Sequence, residues 1–397
     1  MKNQFKILLL VLITSTVVYA QKPSGIEMDE KHTIYKENFS TNANTTLVLN
    51  LNNTTAKVIE SPDEKVYIEY TIEFKNVRKK IKERQLKHLL VSGKKEDNKI
   101  TYSTKSKSNF SPSVYNHQQS LIDRFDKKKF LKDSLPKPVI RKSLDSILHE
   151  IKYSESIYRN KIREALNIKP SQAERWNKST NNLIISKMVI KIPKNIHVRA
   201  TIENSNLVFM DDFYNRATMN IRNSKLRFKA LGNTLSIIDF DNGYFNAETV
   251  ISGSYSFANL KEVRIGRLSN SLLNTEFTKI EIAEIGKGNK ITDFNSEYYF
   301  YNWTKDFQRF DLFSEYSKIH FFYPDLNHNL EVIGYNTRNI VGKDAFEVTM
   351  QPKSRERNRL MSKPANPNEK SSGLIFFDII NGIIYSHNDT IKTLNKN

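Results

Sequence analysis

The sequence predicts a mainly β protein, a parallel β-solenoid (β-helix-like) with coils of about 19 residues and an α-helical insertion. Three observations support this fold class. Apolar and polar residues alternate in short stretches, asparagines recur at a fixed spacing, and one segment between the β regions has helical periodicity instead.

The composition excludes several classes of functional site. The chain has 397 residues, a formal net charge of +19 and no cysteine. The absence of cysteine excludes disulfide scaffolds, thiolate zinc sites, iron–sulfur clusters and cysteine nucleophiles. The basic charge raises the question of an anionic partner.

Residues 1–20 are predicted to be a signal peptide. Lys2 and Lys6 precede an apolar run, and Val18-Tyr19-Ala20 offers a small-residue cleavage site before Gln21. The run is too short for a transmembrane helix, although an uncleaved anchor is the alternative, and no later segment is apolar enough to span a bilayer. We therefore expect an exported protein, periplasmic or at the outer cell surface, that does not meet nucleic acid.

Residues 21–75 are predicted to be N-terminal strands that open the solenoid. Leu47, Leu49 and Leu51 alternate with other residues, and a turn signal at Ser61-Pro62-Asp63 precedes a second alternating stretch up to Phe74.

Residues 76–182 are predicted to be a basic, largely helical insertion. A hairpin around Ser92-Gly93 is expected first. A single amphipathic face then runs for about seven turns and ends near Lys169-Pro170. Its apolar positions are Ile140, Leu144, Ile147, Leu148, Ile151, Tyr158, Ile162, Ala165 and Leu166. We expect this stripe to pack on the solenoid or to close one of its ends.

Residues 183–350 are predicted to be the solenoid repeats. Asn204, Asn223 and Asn242 are separated by about 19 residues, as are Asn270 and Asn289; the longer step between the two sets predicts an insertion around 251–257. Asparagine tolerates the left-handed backbone that a tight corner needs. An antiparallel sandwich is the alternative fold. Residues 351–372 are predicted to be a polar loop and 373–397 to be closing strands.

At this point the chain resembles the head-GIN-type adhesin family of β-strand-repeat envelope proteins. The resemblance rests on Val189–Asn195, on Asn204–Phe209, on the asparagine corners and on Ile379–Tyr385. It implies a β-repeat fold and a non-enzymatic, adhesin-like binding or scaffolding role with an unknown ligand. The chain departs from the family in having asparagine at corners where glycine is usual, and in its helical insertion.

Catalytic and metal-binding motifs are not found. The eight histidines are dispersed without metal-ligand spacing, and no nucleophile elbow or phosphate-binding loop is present. We therefore predict no cofactor, no metal and no enzymatic activity.

Four carboxylates near the corners support an alternative, a glycan-cleaving β-helix. Such enzymes place two carboxyl groups on either side of a sugar bond. The candidates are Asp211, Asp212, Asp239 and Asp241, and in-register stacking of the coils would bring Asp212 and Asp239 within range of one sugar bond. The competing interpretation is that these side chains form turn hydrogen bonds. Aromatic residues between Tyr298 and Tyr323 could stack on sugars or fill the coil interior.

The positive charge is concentrated in the insertion. Residues 76–180 contain 26 basic and 11 acidic side chains, a net charge of +15. The basic residues expected to face outward are Lys127, Lys128, Lys129, Arg141, Lys142, Arg159, Lys161 and Arg163. They predict contact with an anionic envelope glycan, lipid headgroups or another envelope protein, or they form a solvated face without a ligand.

Overall fold

A computed structural model describes residues 30–75, 77, 79–106, 139–154, 183–341, 358–371 and 373–387. Within these ranges the protein is mainly β, with two helices, α1 (Lys79–Lys87) and α2 (Leu144–Lys152). The predicted signal peptide lies outside the described residues.

Twenty-one strands are described, and most are short. In chain order they are β1 (Glu30–Ser40), β2 (Thr46–Asn52), β3 (Thr55–Glu60), β4 (Lys65–Lys75), β5 (Leu89–Glu96), β6 (Lys99–Ser106), β7 (Leu183–Ile192), β8 (His197–Glu203), β9 (Asn206–Phe213), β10 (Ala217–Leu231), β11 (Ile237–Glu276), β12 (Lys279–Ile285), β13 (Asn289–Phe294), β14 (Glu297–Trp303), β15 (Arg309–Glu315), β16 (Lys318–Phe322), β17 (Asn329–Tyr335), β18 (Arg338–Val341), β19 (Asn358–Lys363), β20 (Leu374–Ile380) and β21 (Ile383–His387).

The strands form one large mixed sheet, in which most pairs are parallel. In the central part, Ile221 pairs with Phe240 and also with Ile202, so successive strands are offset by one predicted repeat. This parallel register is incompatible with the antiparallel sandwich. The sheet does not close on itself, because β1, β5, β18 and β19 have one partner strand each among the described residues.

A single row of left-handed residues bends the sheet. These corner residues have φ between 47° and 59°, and the strand register places them on successive strands. In spatial order they are Asn53, Asn204, Asn223, Asn242, Asn259, Phe277, Asn295, Tyr316, Asn381 and Asn336. Asparagine is one of the few non-glycine residues that accept this conformation readily. Its side chains also bond to one another along the row, as Asn242 Nδ2 does to Asn223 Oδ1 at 2.7 Å.

A buried hydroxyl follows most corner residues. Ser224 Oγ accepts a hydrogen bond from the Ser205 amide at 3.0 Å and donates to the Arg222 carbonyl at 2.7 Å. In the same way, Ser296 Oγ accepts from the Thr278 amide and Ser317 Oγ accepts from the Ser296 amide. The dipeptide Asn-Ser or Asn-Thr therefore satisfies the backbone groups that the bend removes from the ladder.

The corner row divides the sheet into two walls. Wall A contains the strands before the corner: β2, β6, β8, β13, β15, β17, β20 and the first part of β10. Wall B contains those after it: β3, β7, β9, β12, β14, β16, β18, β21 and the second part of β10. Strand β11 passes through Asn242 and Asn259 and so contributes to both walls. Alternate side chains of the two walls enter one core, where Trp303 of wall B meets Phe310 of wall A at 5.4 Å.

Both ends of the stack carry antiparallel strands. At one end β1 pairs with β4, β4 with β7, and β5 with β6; at the other, β19 pairs with β17. The charged edge strand β1 also carries a bulge between Thr33 and Tyr35, which discourages further strand addition.

The C-terminal strands do not simply close the stack. Strand β20 lies between β15 and β17, and β21 lies between β16 and β18. The turn formed by β17 and β18 therefore contacts the rest of the sheet through strands that follow it in the chain.

Three local predictions differ from the structure. The long step after Asn242 needs no insertion, because the corner row continues at Asn259; Asn270 lies away from this row, and the Asn289 side chain is buried in backbone hydrogen bonds. The hairpin at β5–β6 turns at Asp97, not at Ser92-Gly93. Part of the predicted polar loop forms β19, which pairs with β17.

Helix α2 lies across the outer surface of wall B. Ser143 caps its N-terminus, and Ile147 and Ile151 are buried against Ala283, Tyr301 and Phe322. At its C-terminal end, Arg227 Nη1 donates to the Lys152 carbonyl at 3.0 Å. The segment 139–152 thus contacts strands from β16 back to β10, and we call it the strap.

Candidate binding groove

An open groove of about 440 Å³ lies on the outer surface of wall A, beside the corner row. Strands β11, β13, β15 and β20 form its floor. Two register rows supply its outward side chains: one row is Asn274, Thr292 and Phe313, and the other is Glu276, Phe294 and Glu315.

Exposed aromatic rings border this groove. Phe277, Phe294 and Tyr316 are 47%, 40% and 53% exposed. Phe294 packs edge-to-face against Phe277 at 5.6 Å and against Tyr316 at 5.7 Å, measured between ring centroids. The three rings form a continuous aromatic ladder, which is an unusual surface because large apolar side chains are normally buried.

Two members of the ladder occupy corner positions. Phe277 has φ 48° and Tyr316 has φ 59°, whereas the other eight corner residues are asparagine. A bulky aromatic residue is costly in the left-handed region. The corner row therefore departs from its preferred residue type only where it borders the groove.

Behind the groove lies a polar patch on the otherwise largely apolar inner surface of wall A. The buried Asp293 carboxylate accepts hydrogen bonds from Thr275 Oγ1 at 2.7 Å, from Ser314 Oγ at 2.9 Å and from Ser317 Oγ. Tyr298 reaches the same cluster through Thr275, and burial raises the pKa of its phenol far above the ordinary value. This satisfied network fixes the strands that form the groove floor.

The structure separates the four predicted catalytic carboxylates into two pairs. Asp239 is in register with Asn220 in wall A, whereas Asp212 is in register with Ala230 in wall B. Asp211 accepts from the Glu60 amide at 2.8 Å, Asp212 pairs with Lys229 at 3.0 Å, and Asp241 accepts from Asn259 Nδ2 at 2.9 Å. The register therefore does not bring Asp212 and Asp239 together, as the glycan-cleaving alternative requires.

Two of the predicted outward-facing basic residues point inward. Arg141 is only 7% exposed; Nε donates to the Tyr301 carbonyl at 2.9 Å and Nη2 to the Tyr323 carbonyl at 3.2 Å. Burial lowers the pKa of Arg141. Lys142 Nζ pairs with Glu150 at 3.0 Å and with the buried Glu281 at 2.5 Å.

The expectation that these two residues face outward is wrong, because the strap uses both to dock. Lys127, Lys128, Lys129, Arg159, Lys161 and Arg163 lie outside the described residues, so an anionic partner for them stays a prediction.

Sequence reasoning found only part of the groove. The aromatic range considered for sugar stacking, Tyr298 to Tyr323, includes Phe313 and Tyr316. Phe277, Phe294 and the polar lining were missed. The signal was present: Phe277-Thr278 and Tyr316-Ser317 repeat the corner dipeptide with an aromatic residue in place of asparagine. The asparagine repeat does not include these two positions, because an aromatic residue replaces asparagine there.

Metal ligation and membrane spanning find no support in the described ranges. No group of three or more His, Asp or Glu side chains there could hold a metal ion. Neither described helix combines the length and apolar character needed to cross a bilayer.

Comparison with known proteins leaves the family open. No family model matches the chain, and no curated protein matches it. A solved structure of a candidate cell adhesion protein from Clostridium sporogenes aligns over 90% of this chain and 98% of its own, with 8% identity and a TM-score of 0.18. The resemblance to head-GIN adhesins therefore stays a prediction.

Proposed function

We propose that this protein is an exported, non-enzymatic binding module of the cell envelope, of the adhesin kind, built on a parallel β-solenoid whose coil length follows the asparagine spacing. The observation that carries the proposal is the aromatic ladder beside an open groove. Exposed aromatic side chains at strained backbone positions reduce stability, and such positions concentrate at sites that serve a ligand.

The arrangement of the carboxylates favours binding over the hydrolysis first considered. Asp211 and Asp212 lie on wall B, Asp239 and Asp241 lie on wall A, and three of the four already have hydrogen-bond or ionic partners. Turn and strand contacts account for Asp211, Asp212 and Asp241 without a catalytic role, and Asp239 lies on the other wall from Asp212.

The solenoid proposal draws on the parallel register. Equal offsets between β8, β10 and β11, with antiparallel strands at both ends, are typical of stacked coils that need protected termini.

Export and binding are tested together. The full chain, tagged at its C-terminus, is expressed in the cells that produce it; the cells are fractionated and the N-terminus of the protein is sequenced. We expect an envelope fraction beginning at Gln21. Purified protein should then bind isolated envelopes saturably, whereas a cytoplasmic chain that retains Met1, or one without saturable binding, would overturn the proposal.

A further inference from the structure

We propose that the groove of wall A binds a neutral oligosaccharide chain, which lies across the strands along the corner row. This inference rests on the proposed binding function and names the chemical class of its ligand.

The aromatic ladder supplies the apolar contacts that a sugar needs. Phe277, Phe294 and Tyr316 lie at the ends of three successive strands, with Phe277 and Tyr316 in the corner row and Phe294 one residue before it. Neighbouring strands lie about 4.8 Å apart, close to the length of one pyranose residue. A chain laid along the row would meet a ring edge or face at each unit, and the apolar C–H faces of pyranoses pack well on aromatic rings.

The polar lining matches hydroxyl groups. Glu276 and Glu315 stand on either side of Phe294, one strand away in each direction, and Asn274 and Thr292 occupy the neighbouring row. Carboxylates accept hydrogen bonds from hydroxyls, and amide and hydroxyl side chains can both donate and accept. A few convergent polar groups beside apolar walls are typical of ligand pockets.

The charge of the lining distinguishes neutral from anionic glycans. Carboxylates line the groove at Glu276, Glu315 and Asp378, with the hydrogen-bonded Asp293 beneath them, and no lysine or arginine is among its described lining residues. Lys290 lies beside the groove with its ammonium 5.2 Å from the Phe313 ring centroid. Like charges would repel sulfated or uronic polymers and anionic lipids.

A basic peptide is the competing occupant, since carboxylates also attract lysine. The glycan is favoured because the aromatic ladder follows the strand spacing and because Asn274 and Thr292 add neutral partners in the row beside Glu276 and Glu315. The test therefore includes both.

The experiment measures binding of the full chain to hexaoses of β-1,4-glucose, β-1,4-xylose, β-1,3-glucose and β-1,4-N-acetylglucosamine by calorimetry, with heparin and hexalysine alongside. We expect one or more neutral hexaoses to bind. Phe294→Ala should weaken binding about tenfold, since an aromatic contact contributes ~1 kcal/mol or somewhat more. Phe277→Asn with Tyr316→Asn should weaken it at least as much while the protein stays folded.

Leu272→Ala is the matched control. Leu272 is 52% exposed and lies on β11, the strand that also carries Glu276, but it does not line the groove. Its affinity should stay within twofold of the parent. Equal affinity in the Phe294 and Leu272 variants, binding of heparin or hexalysine alone, or no binding to any hexaose would overturn the inference.

The proposed function has a separate readout. Saturable envelope binding that survives Phe294→Ala would leave the binding module standing and remove the groove from it. Release of reducing ends from a hexaose would overturn the non-enzymatic proposal and leave the glycan site standing.

Discussion

The two walls share the same parallel strand pairing, but their outer surfaces differ in what covers them. Wall B is covered by the strap, and it presents Gly266 and Ala283 where α2 packs. A methyl group at Gly266 would lie 2.4 Å from the Glu248 carbonyl oxygen and 2.8 Å from Leu148 Cδ2, so the small residue makes room for both the neighbouring backbone and the helix. Wall A instead presents an aromatic ladder that no described segment covers.

The difference shows that parallel pairing fixes the backbone while outward side chains decide what a wall accepts. Buried ion pairs join wall B to the strap: Arg264 pairs with Glu150 at 3.1 Å, and Lys142 with Glu281. Wall A carries corner strain at Phe277 and Tyr316. The strap packs on the outer surface of wall B, whereas no described segment covers the aromatic ladder of wall A.

The largest effect is expected from breaking the covered side. Arg141→Ala removes the donor of two buried carbonyls, those of Tyr301 and Tyr323, and should lower the free energy of unfolding by about 2–3 kcal/mol. Hydrogen exchange should rise first in α2, and urea denaturation gives the loss. Arg309→Ala is the control: its exposed pair with Asp311 at 2.8 Å should contribute about 0.5 kcal/mol or less. Similar losses in both variants would contradict the anchoring role.

An intermediate effect is expected from exchanging corner residues. Phe277→Asn places a left-handed former at φ 48° and should raise stability by about 1 kcal/mol. The reverse exchange, Asn223→Phe, lies away from the groove and removes a bond to Asn242; it should lower stability by about 1–2 kcal/mol. Thermal denaturation of both variants checks the sign. Destabilisation by Phe277→Asn would show that the aromatic ring holds the fold.

The smallest effect is expected on the pH dependence of stability, through the buried carboxylate of Glu281. Burial acts to raise the pKa of Glu281, but Lys142, Lys279 and Arg264 outweigh it, and the pKa is lowered below 4.5. A folded pKa below the unfolded value gives stability that is present above about pH 4.5 and is lost as pH falls through the folded pKa. Burial raises the pKa of the neighbouring Glu262, which acts in the opposite sense.

We therefore compare the parent with Glu281→Gln. The difference in their free energies of unfolding should be about 1 kcal/mol near pH 7 and should shrink below pH 4.5. Glu284→Gln, at a more exposed pair with Arg267, should show a smaller and flatter difference. A Glu281 difference that does not change with pH would contradict the assignment.

Sequence reasoning reached the strands and several corners because both depend on local rules. Period two marks buried strands such as Leu47–Leu51, and asparagine marks left-handed positions such as Asn204 and Asn223. The apolar spacing of Ile147 and Ile151 likewise predicted a packed helical face.

What it missed depends on residues far apart in the chain. Arg141 reads as a surface cation until Tyr301 and Tyr323 are placed beside it, and Asp212 and Asp239 read as neighbours until the register separates them. Glu276, Phe294 and Glu315 share a row although the stretch of chain from Glu276 to Phe294 is shorter than the stretch from Phe294 to Glu315. A strict count of equal repeats cannot bring them together.

The intercalated strands β20 and β21 make the order of the strands in the chain differ from their order in the sheet. The turn of β17 and β18 leaves the ribosome before β20 and β21. Strand β17 can pair with β19 first, but among the described strands the turn joins the rest of the sheet only through β20 and β21. A chain that ends after Val341 would leave β17 and β18 without their partner strands and accessible to proteases. We therefore expect a chain that lacks residues 374–387 to be cleaved faster at β17 and β18 than the full chain, since these residues supply the parallel neighbours of both strands.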